Sequence, residues 1–532
     1  MIGRKVAARG DYTWTFATKW TAIESRPSGL TVTRRSGQQE WRRVVDQDQT
    51  LKITQAARGI LEFLPRLATV SAMKLATGPT SFVVSAVAVL WATCAPAEAP
   101  TPFAPAQGLT VYRGATLIDG TGSPPRSDMD VVVQADRIRQ VVRDADLDPA
   151  PLRKAKIVDL HGRFLMPGMI DAHVHLATPP NRRQAEAVLR RDIYGGITTV
   201  RDMADDLRAV GDLSRASLVG EIAAPDIYYA ALMAGPTFFS DKRTAQSSAG
   251  GEPGHVPWMQ AVTDDTDIPL AVAQARGTYA TAIKLYADLS GELAAKITAE
   301  AHRQGIKVWA HATLYPAKPS EVVAAGVDVI SHACLLIRES PARVPGFNEP
   351  RPRAQLDSFR DGSNPDLARL FAEMVRRGTI LDATLWTYSA DTAGSTTLPP
   401  LPPGSCEDTV GGAIAGQAYR AGVAIDAGTD NVADWTDPWP DLLHELDTLS
   451  RKARMPNGAV LQSATLTGAR AIGYDRDIGS IETGKLANMV VLARDPLTNL
   501  DNLRSVVLTV KRGRTFERTA FVPLVEGDIT DR

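Results

Sequence analysis

His173 and His175 stand two residues apart at the end of the apolar run MPGMIDAHVHL, Met166 to Leu176. Alternate residues of a strand share a face, so both imidazoles can reach one metal ion. The pair alone is equally readable as two surface histidines at a strand end. Four more residues of the same kind follow. Lys284 lies inside AIKLYAD, His311 ends IKVWAH, His332 ends VDVISH and Asp430 ends VAIDAGTD. Taken singly, a strand-end histidine is more often structural than a ligand, and a lysine can simply cap a carbonyl. Six such residues at successive strand ends are hard to explain that way.

The elements that carry them alternate strand and helix from about Met166 to Gly473. GITTVRDM (Gly196–Met203) reads as a strand ending in charge. Ser290–Gln304 has helical periodicity and is closed by Gly305. The strand IKVWAHA (Ile306–Ala312) follows. The same helix, glycine, strand unit recurs at Gly326, Gly378 and Gly422, leading into Val327–Ala333, Thr379–Leu385 and Val423–Asp430. Such repetition predicts an α/β fold with a parallel sheet and helices outside, and the span 166–473 fits a (β/α)8 TIM barrel. In that barrel the C-terminal strand ends converge, which gives the six polar residues a reason to meet. Short alternating strands flank it, in Leu109–Arg143 before and in Gly484–Leu497 and Arg504–Arg514 after. They predict a small β-sandwich domain built from both flanks, residues 100–165 and 474–532.

Residues 1–72 are Arg-rich and show no sustained period, and are expected to be a poorly structured extension or an over-extended reading frame. Residues 73–99 look like a signal peptide. Met73-Lys74 precedes the apolar run SFVVSAVAVLWA (Ser81–Ala92), and small residues follow at 95–99. The run is short for a membrane span, and no stable span is expected in the mature chain. The expected location is periplasmic or secreted, after cleavage near residues 97–99. A single-span anchor is the alternative. Lipid attachment at Cys94 is disfavoured by its neighbours Trp91 and Thr93. Cys334 and Cys406 remain after cleavage, and the spacing shows neither a disulfide framework nor a zinc ribbon. The net charge of −1, with no long basic block, argues against nucleic acid as a partner.

With these motifs assembled, the chain resembles the amidohydrolase superfamily, in its imidazolonepropionase-like and prolidase-like branch. The resemblance covers about residues 109–515 and includes PGMIDAHVH, IKLY, VWAHA, VISHA, AGTD and the tail IGSIETGKLANMVVL (Ile478–Leu492). Asn488 stands where that tail usually carries Asp. The resemblance implies a binuclear centre. His173, His175 and Asp430 would bind the more buried ion, and His311 and His332 the second. Lys284, as a CO2-derived carbamate, would bridge both. An ammonium has no lone pair, so the lysine needs that modification to ligate. The implied ions are most simply Zn2+, with Mn2+, Co2+ or Fe2+ compatible with the same ligand types. The implied activity is hydrolysis of an amide bond, in a dipeptide, an N-acyl amino acid or a cyclic amide, by a metal-bridged hydroxide with Asp430 as proton carrier.

Substrate contacts are less determined. Tyr286 shares a strand face with Lys284 and could reach a substrate carbonyl, or simply line the barrel. Arg243, in the loop LMAGPTFFSDKR (Leu232–Arg243), could pair with a substrate carboxylate, or be one of many solvated loop charges. The Gly-rich stretch Ser247–His255 reads as a lid or insertion, with His255 exposed. His161, His302 and His444 fall outside the ligand pattern, and Cys334 is expected to be packing. Alternatives of other classes are a lactone, ester or phosphotriester hydrolase on the same site, a mononuclear imidazolonepropionase-type hydrolase, and a degenerate barrel kept for assembly or binding. The filled ligand positions speak against the last. The expected partner is a small-molecule substrate, with a homo-oligomer compatible with the resemblance.

Overall fold

The structure is a computed structural model. It describes the backbone of five strands within residues 3–45, and residues 108–148, 150, 153–350, 352, 355–389, 406–430 and 437–523. The signal-like segment, with Cys94, lies outside the described residues. The chain divides into two compact units, Met1–Ala97 and Glu98–Arg532.

In the first unit the sequence showed no period, yet the backbone runs as strands Gly3–Val6, Tyr12–Thr15, Ala22–Arg26, Gly29–Ser36 and Gln39–Val45. They pair antiparallel in chain order, so this part of the expected poorly structured extension is a meander instead.

The second unit holds the predicted barrel. Its strands are β1 (Met169–Val174), β2 (Ile197–Asp202), β3 (Asp226–Ala234), β4 (Ala282–Leu285), β5 (Lys307–His311), β6 (Val329–Ser331), β7 (Ile380–Asp382) and β8 (Ile425–Asp426). They follow one another in that order, every neighbouring pair parallel. The ring closes through Ala172 N–H to the Ala427 carbonyl and Asp430 N–H to the His173 carbonyl, both at 2.8 Å. Every residue of β1 and β2 is buried, as expected of parallel strands covered on both faces.

The outer layer includes helices α1 (Arg182–Tyr194), α2 (Leu207–Val219), α3 (Ile268–Gly277), α4 (Gly291–Arg303), α5 (Pro319–Ala324), α6 (Pro365–Arg377), α7 (Asp408–Arg420) and α8 (Leu442–Arg451). Local chemistry starts and stops them. Ser290 accepts from Leu293 N–H at the start of α4, and Asn364 from Asp366 and Leu367 N–H at the start of α6. Gly305, Gly326, Gly378 and Gly422 all take the left-handed conformation that ends a helix, at φ between 75° and 89°.

The two flanks meet in one mixed sheet of eight strands. Leu109–Leu117, Arg126–Gln134, Arg137–Arg143, Lys156–Asp159 and Phe164–Pro167 come from before the barrel. Met489–Leu492, Val506–Lys511 and Arg514–Glu517 come from after it. The sheet has its own core, with Tyr112, Leu117, Val131 and Leu165 from one flank and Met489, Val491 and Val510 from the other. Among the described residues no helix is long and apolar enough to cross a membrane.

Candidate metal centre

Each expected ligand sits where its strand hands over to a loop on one face of the barrel. His173 lies in β1 and His175 just beyond it. Lys284 is in β4, His311 ends β5, His332 follows β6, and Asp430 follows β8. One ligand atom from each of His173, His175 and Asp430 lies within 4.8 Å of the other two. Oδ1 of Asp430 is 3.3 Å from His173 Nε2 and 3.4 Å from His175 Nε2, and its Oδ2 is 3.6 Å from His332 Nδ1. The His332 ring stands 5.0 Å from that of His173 and 4.5 Å from that of His311. The structure thus brings the four histidines and Asp430 into one cluster. His332 and Asp430 both adopt left-handed backbone, φ 76° and 50°, rare for residues with side chains and typical of constrained functional turns.

The electrostatics suit a cation. Burial keeps the His332 imidazole neutral, its pKa pushed down to about 3. Burial also pushes the Lys284 ammonium down to about 7, with Asp382 opposing and Arg201 reinforcing the shift. Burial would raise the Asp430 carboxyl, but the surrounding histidines, His173 foremost, hold it well below the usual carboxylate range. Burial lowers His173 and His311 as well, whereas at His175 burial is outweighed by Asp205 and Asp430, which raise the ring well above its ordinary value. Three imidazoles held neutral, a fourth ring flanked by carboxylates, an ionised carboxylate and a lysine close to losing its proton form a donor set that fits divalent metal.

A model of the amidohydrolase family matches residues 164–516. The chain belongs to this amidohydrolase family. No curated protein matches it. Among solved structures, the chain resembles an Xaa-Pro dipeptidase with methionine bound in its active site, at 21% identity and a TM-score of 0.60, over 77% of this chain and 100% of that one. The ochratoxinase of A. niger matches at 18% and 0.60, over 77% and 96%. Molinate hydrolase matches at 18% and 0.59, over 79% and 97%. At these identities the likeness is one of fold.

Around the cluster of this amidohydrolase lie residues that the sequence reading passed over. Asp382, at the end of β7, meets His173 Nδ1 at 2.6 Å, and Asp205 meets His175 Nδ1 at 2.7 Å. The Thr384 hydroxyl is 2.9 Å from His332 Nδ1. Asp171 takes the N–H of His173 and the N–H and hydroxyl of Thr429, tying β1 to the turn that presents Asp430. Their one signal in sequence is a carboxylate or hydroxyl within or beside an otherwise apolar strand, as in TILDATL. Lys284 itself is buried and donates to Ser331 Oγ at 3.3 Å.

Tyr286 lies at the rim, its ring 3.9 Å from that of His311 and 4.5 Å from that of Phe238. Arg243 sits in the short helix Lys242–Ser247. It pairs with Asp241 at 2.8 Å and donates to the Tyr286 hydroxyl at 3.2 Å, so the two expected substrate contacts adjoin. The Gly-rich insertion leads into a hairpin, His255–Val256 with Met259–Ala261, that pairs with the last residues of β3, Leu232–Ala234. His255 is exposed there. His161 and His302 are surface partners of Asp159 and Asp328, and His444 stacks on Trp386. Asn488 is buried just before the composite-sheet strand Met489–Leu492 and accepts from Arg512 N–H. One expectation is corrected. Cys334 is not merely packing, because it forms a disulfide with Cys406, 72 residues away. Spacing could not disclose it: the pairing depends on the turn after β6 meeting the approach to α7.

Proposed function

We propose that this amidohydrolase is an exported, binuclear metal-dependent enzyme that splits an amide bond in a dipeptide, an N-acyl amino acid or a cyclic amide. The observation that carries the reading is the tight group of His173, His175 and Asp430 with His332 and His311 beside it. His173, His175 and Asp430 would hold one ion, and His311 and His332 the other. Lys284, as a carbamate, would supply a further oxygen ligand. Two such ions supply an activated water and a polarised carbonyl. Asp430, ionised at neutral pH, takes a proton from the attacking water. It delivers that proton to the nitrogen as the carbon–nitrogen bond breaks. Tyr286 orients the substrate carbonyl, and Arg243 beside it receives a carboxylate. The fold shared with an Xaa-Pro dipeptidase supports the dipeptide class. The apolar run Ser81–Ala92 and the Cys334–Cys406 disulfide support export to an oxidising compartment.

The test is metal content per chain, in protein purified with bicarbonate and without chelator, followed by a screen of dipeptides, N-acyl amino acids and lactones. About two ions per chain are expected, falling to about one, with loss of activity, in Lys284→Ala. About one ion in the unaltered protein would favour the mononuclear mechanism. None after metal is restored would end the catalytic reading, and turnover of lactones alone would move the substrate to esters. The mass of the protein recovered from the producing cells checks cleavage near residues 97–99.

A further inference from the structure

Asp382 is fully buried and stands at none of the six ligand positions. A buried carboxylate persists where it is paired and hydrogen-bonded. Here a single oxygen, Oδ2, takes three partners: His173 Nδ1 at 2.6 Å, the Ser331 hydroxyl at 2.8 Å and Arg201 Nη2 at 3.0 Å. The three come from β1, β6 and β2. Ser331 in turn accepts from Lys284 Nζ at 3.3 Å. Arg201 is also fully buried, faces Asp426 at 3.5 Å and lies over the Trp309 ring. It is therefore the counter-charge for two acids at the ends of β7 and β8.

A neutral imidazole carries one N–H and one lone pair, and the partner of one nitrogen decides which is which. An ionised carboxylate only accepts. Asp382 therefore holds the proton on His173 Nδ1 and leaves the lone pair on Nε2, the atom that faces Asp430. We propose that Asp382 is a positioning residue that sets the tautomer and orientation of His173 and, through Ser331, the direction of the Lys284 head group. The His173 half is a property of the metal-free chain. The consequence for metal rests on the function proposed above.

The test uses the full chain labelled with 15N-histidine, free of metal, with the His173 signals assigned through His173→Gln. The unaltered protein is expected to show His173 protonated on Nδ1. Asp382→Ala is expected to move that proton toward Nε2. Both Asp382→Ala and the isosteric Asp382→Asn are expected to weaken zinc binding roughly 10- to 100-fold in competition with a chromophoric chelator, with circular dichroism unchanged. An Asp382→Ala protein that keeps the proton on Nδ1 overturns the proposal. If that variant does not fold, an Asp382→Asn protein with unaltered zinc affinity overturns it. If the unaltered protein takes up no zinc while Asp382→Ala still shifts the tautomer, the positioning of His173 stands and the metal function falls.

Discussion

Glu445, fully buried on α8, spends its Oε2 on the N–H of Trp386 at 2.6 Å, holding the loop after β7. Burial pushes its carboxyl up to about 8 from an ordinary value of 4.5. Between those values the unfolded chain has lost a proton that the folded chain keeps. Its contribution to stability is therefore full below the lower value and lost as pH rises through the upper one. Glu445→Gln keeps the acceptor and removes the charge. Its melting temperature relative to the unaltered protein should rise from pH 5 to pH 8, by the equivalent of a few kcal/mol on the order-of-magnitude scale of such shifts. Equal differences at both pH values would show that Glu445 ionises freely in the fold. The ligand residues were legible because each is a polar residue in or just after the last part of an apolar strand. Asp382 and Glu445 were not, because their partners lie far off in sequence and only the closed barrel brings them together.

Between elements, one close fit at the site is where β8 turns against β1. A Cβ on Gly428 would lie 2.4 Å from His173 Cβ and 2.8 Å from its backbone nitrogen. Neither atom can swing away as a flexible side chain would. Gly428→Ala should cost roughly 1–3 kcal/mol as overpacking and displace His173. Denaturant unfolding and metal content check this, and a variant with unaltered values for both would show that the strands separate freely there. The disulfide joins the turn carrying His332 to the start of α7. Its loop of 72 residues predicts a loss of about 4 kcal/mol in Cys406→Ser by chain entropy. Reductant should expose two further thiols in the unfolded protein, and an unchanged thiol count would mean that the bond does not form. Helix ends were readable in advance from glycines at 305, 326, 378 and 422, since left-handed closure is a local requirement. The disulfide was not, since it depends on two loops meeting.

At the scale of the molecule, the composite sheet binds the two ends of the barrel together. Lys511, buried in the late flank, donates to the Ser217 and Ala224 carbonyls and lies 3.2 Å from Asp226, fastening the sheet to α2 and β3. A chain ending at Gly473 would lose three strands and with them Met489, Val491 and Val510 from the sheet's core. It should fail to accumulate as soluble protein, read as soluble yield beside the full chain. A soluble, cooperatively melting product would show that the barrel stands without its closing flank. Two β-rich flanks were visible in the sequence, but their pairing was an inference from symmetry until Phe164–Pro167 was seen to run antiparallel to Met489–Leu492.

The amino-acid sequence by itself determined the alternation of strand and helix, the helix stops and the strand-end placement of the six polar residues. These follow from periodicity, capping and alternation, which act within a few residues of chain. Tertiary structure decided the rest: the closure that sets Asp430 against His173, the Asp382 hub, the Cys334–Cys406 bond and the shifted ionisation of Glu445 and Lys284. Each of these depends on burial and on partners from other strands, which no local pattern encodes.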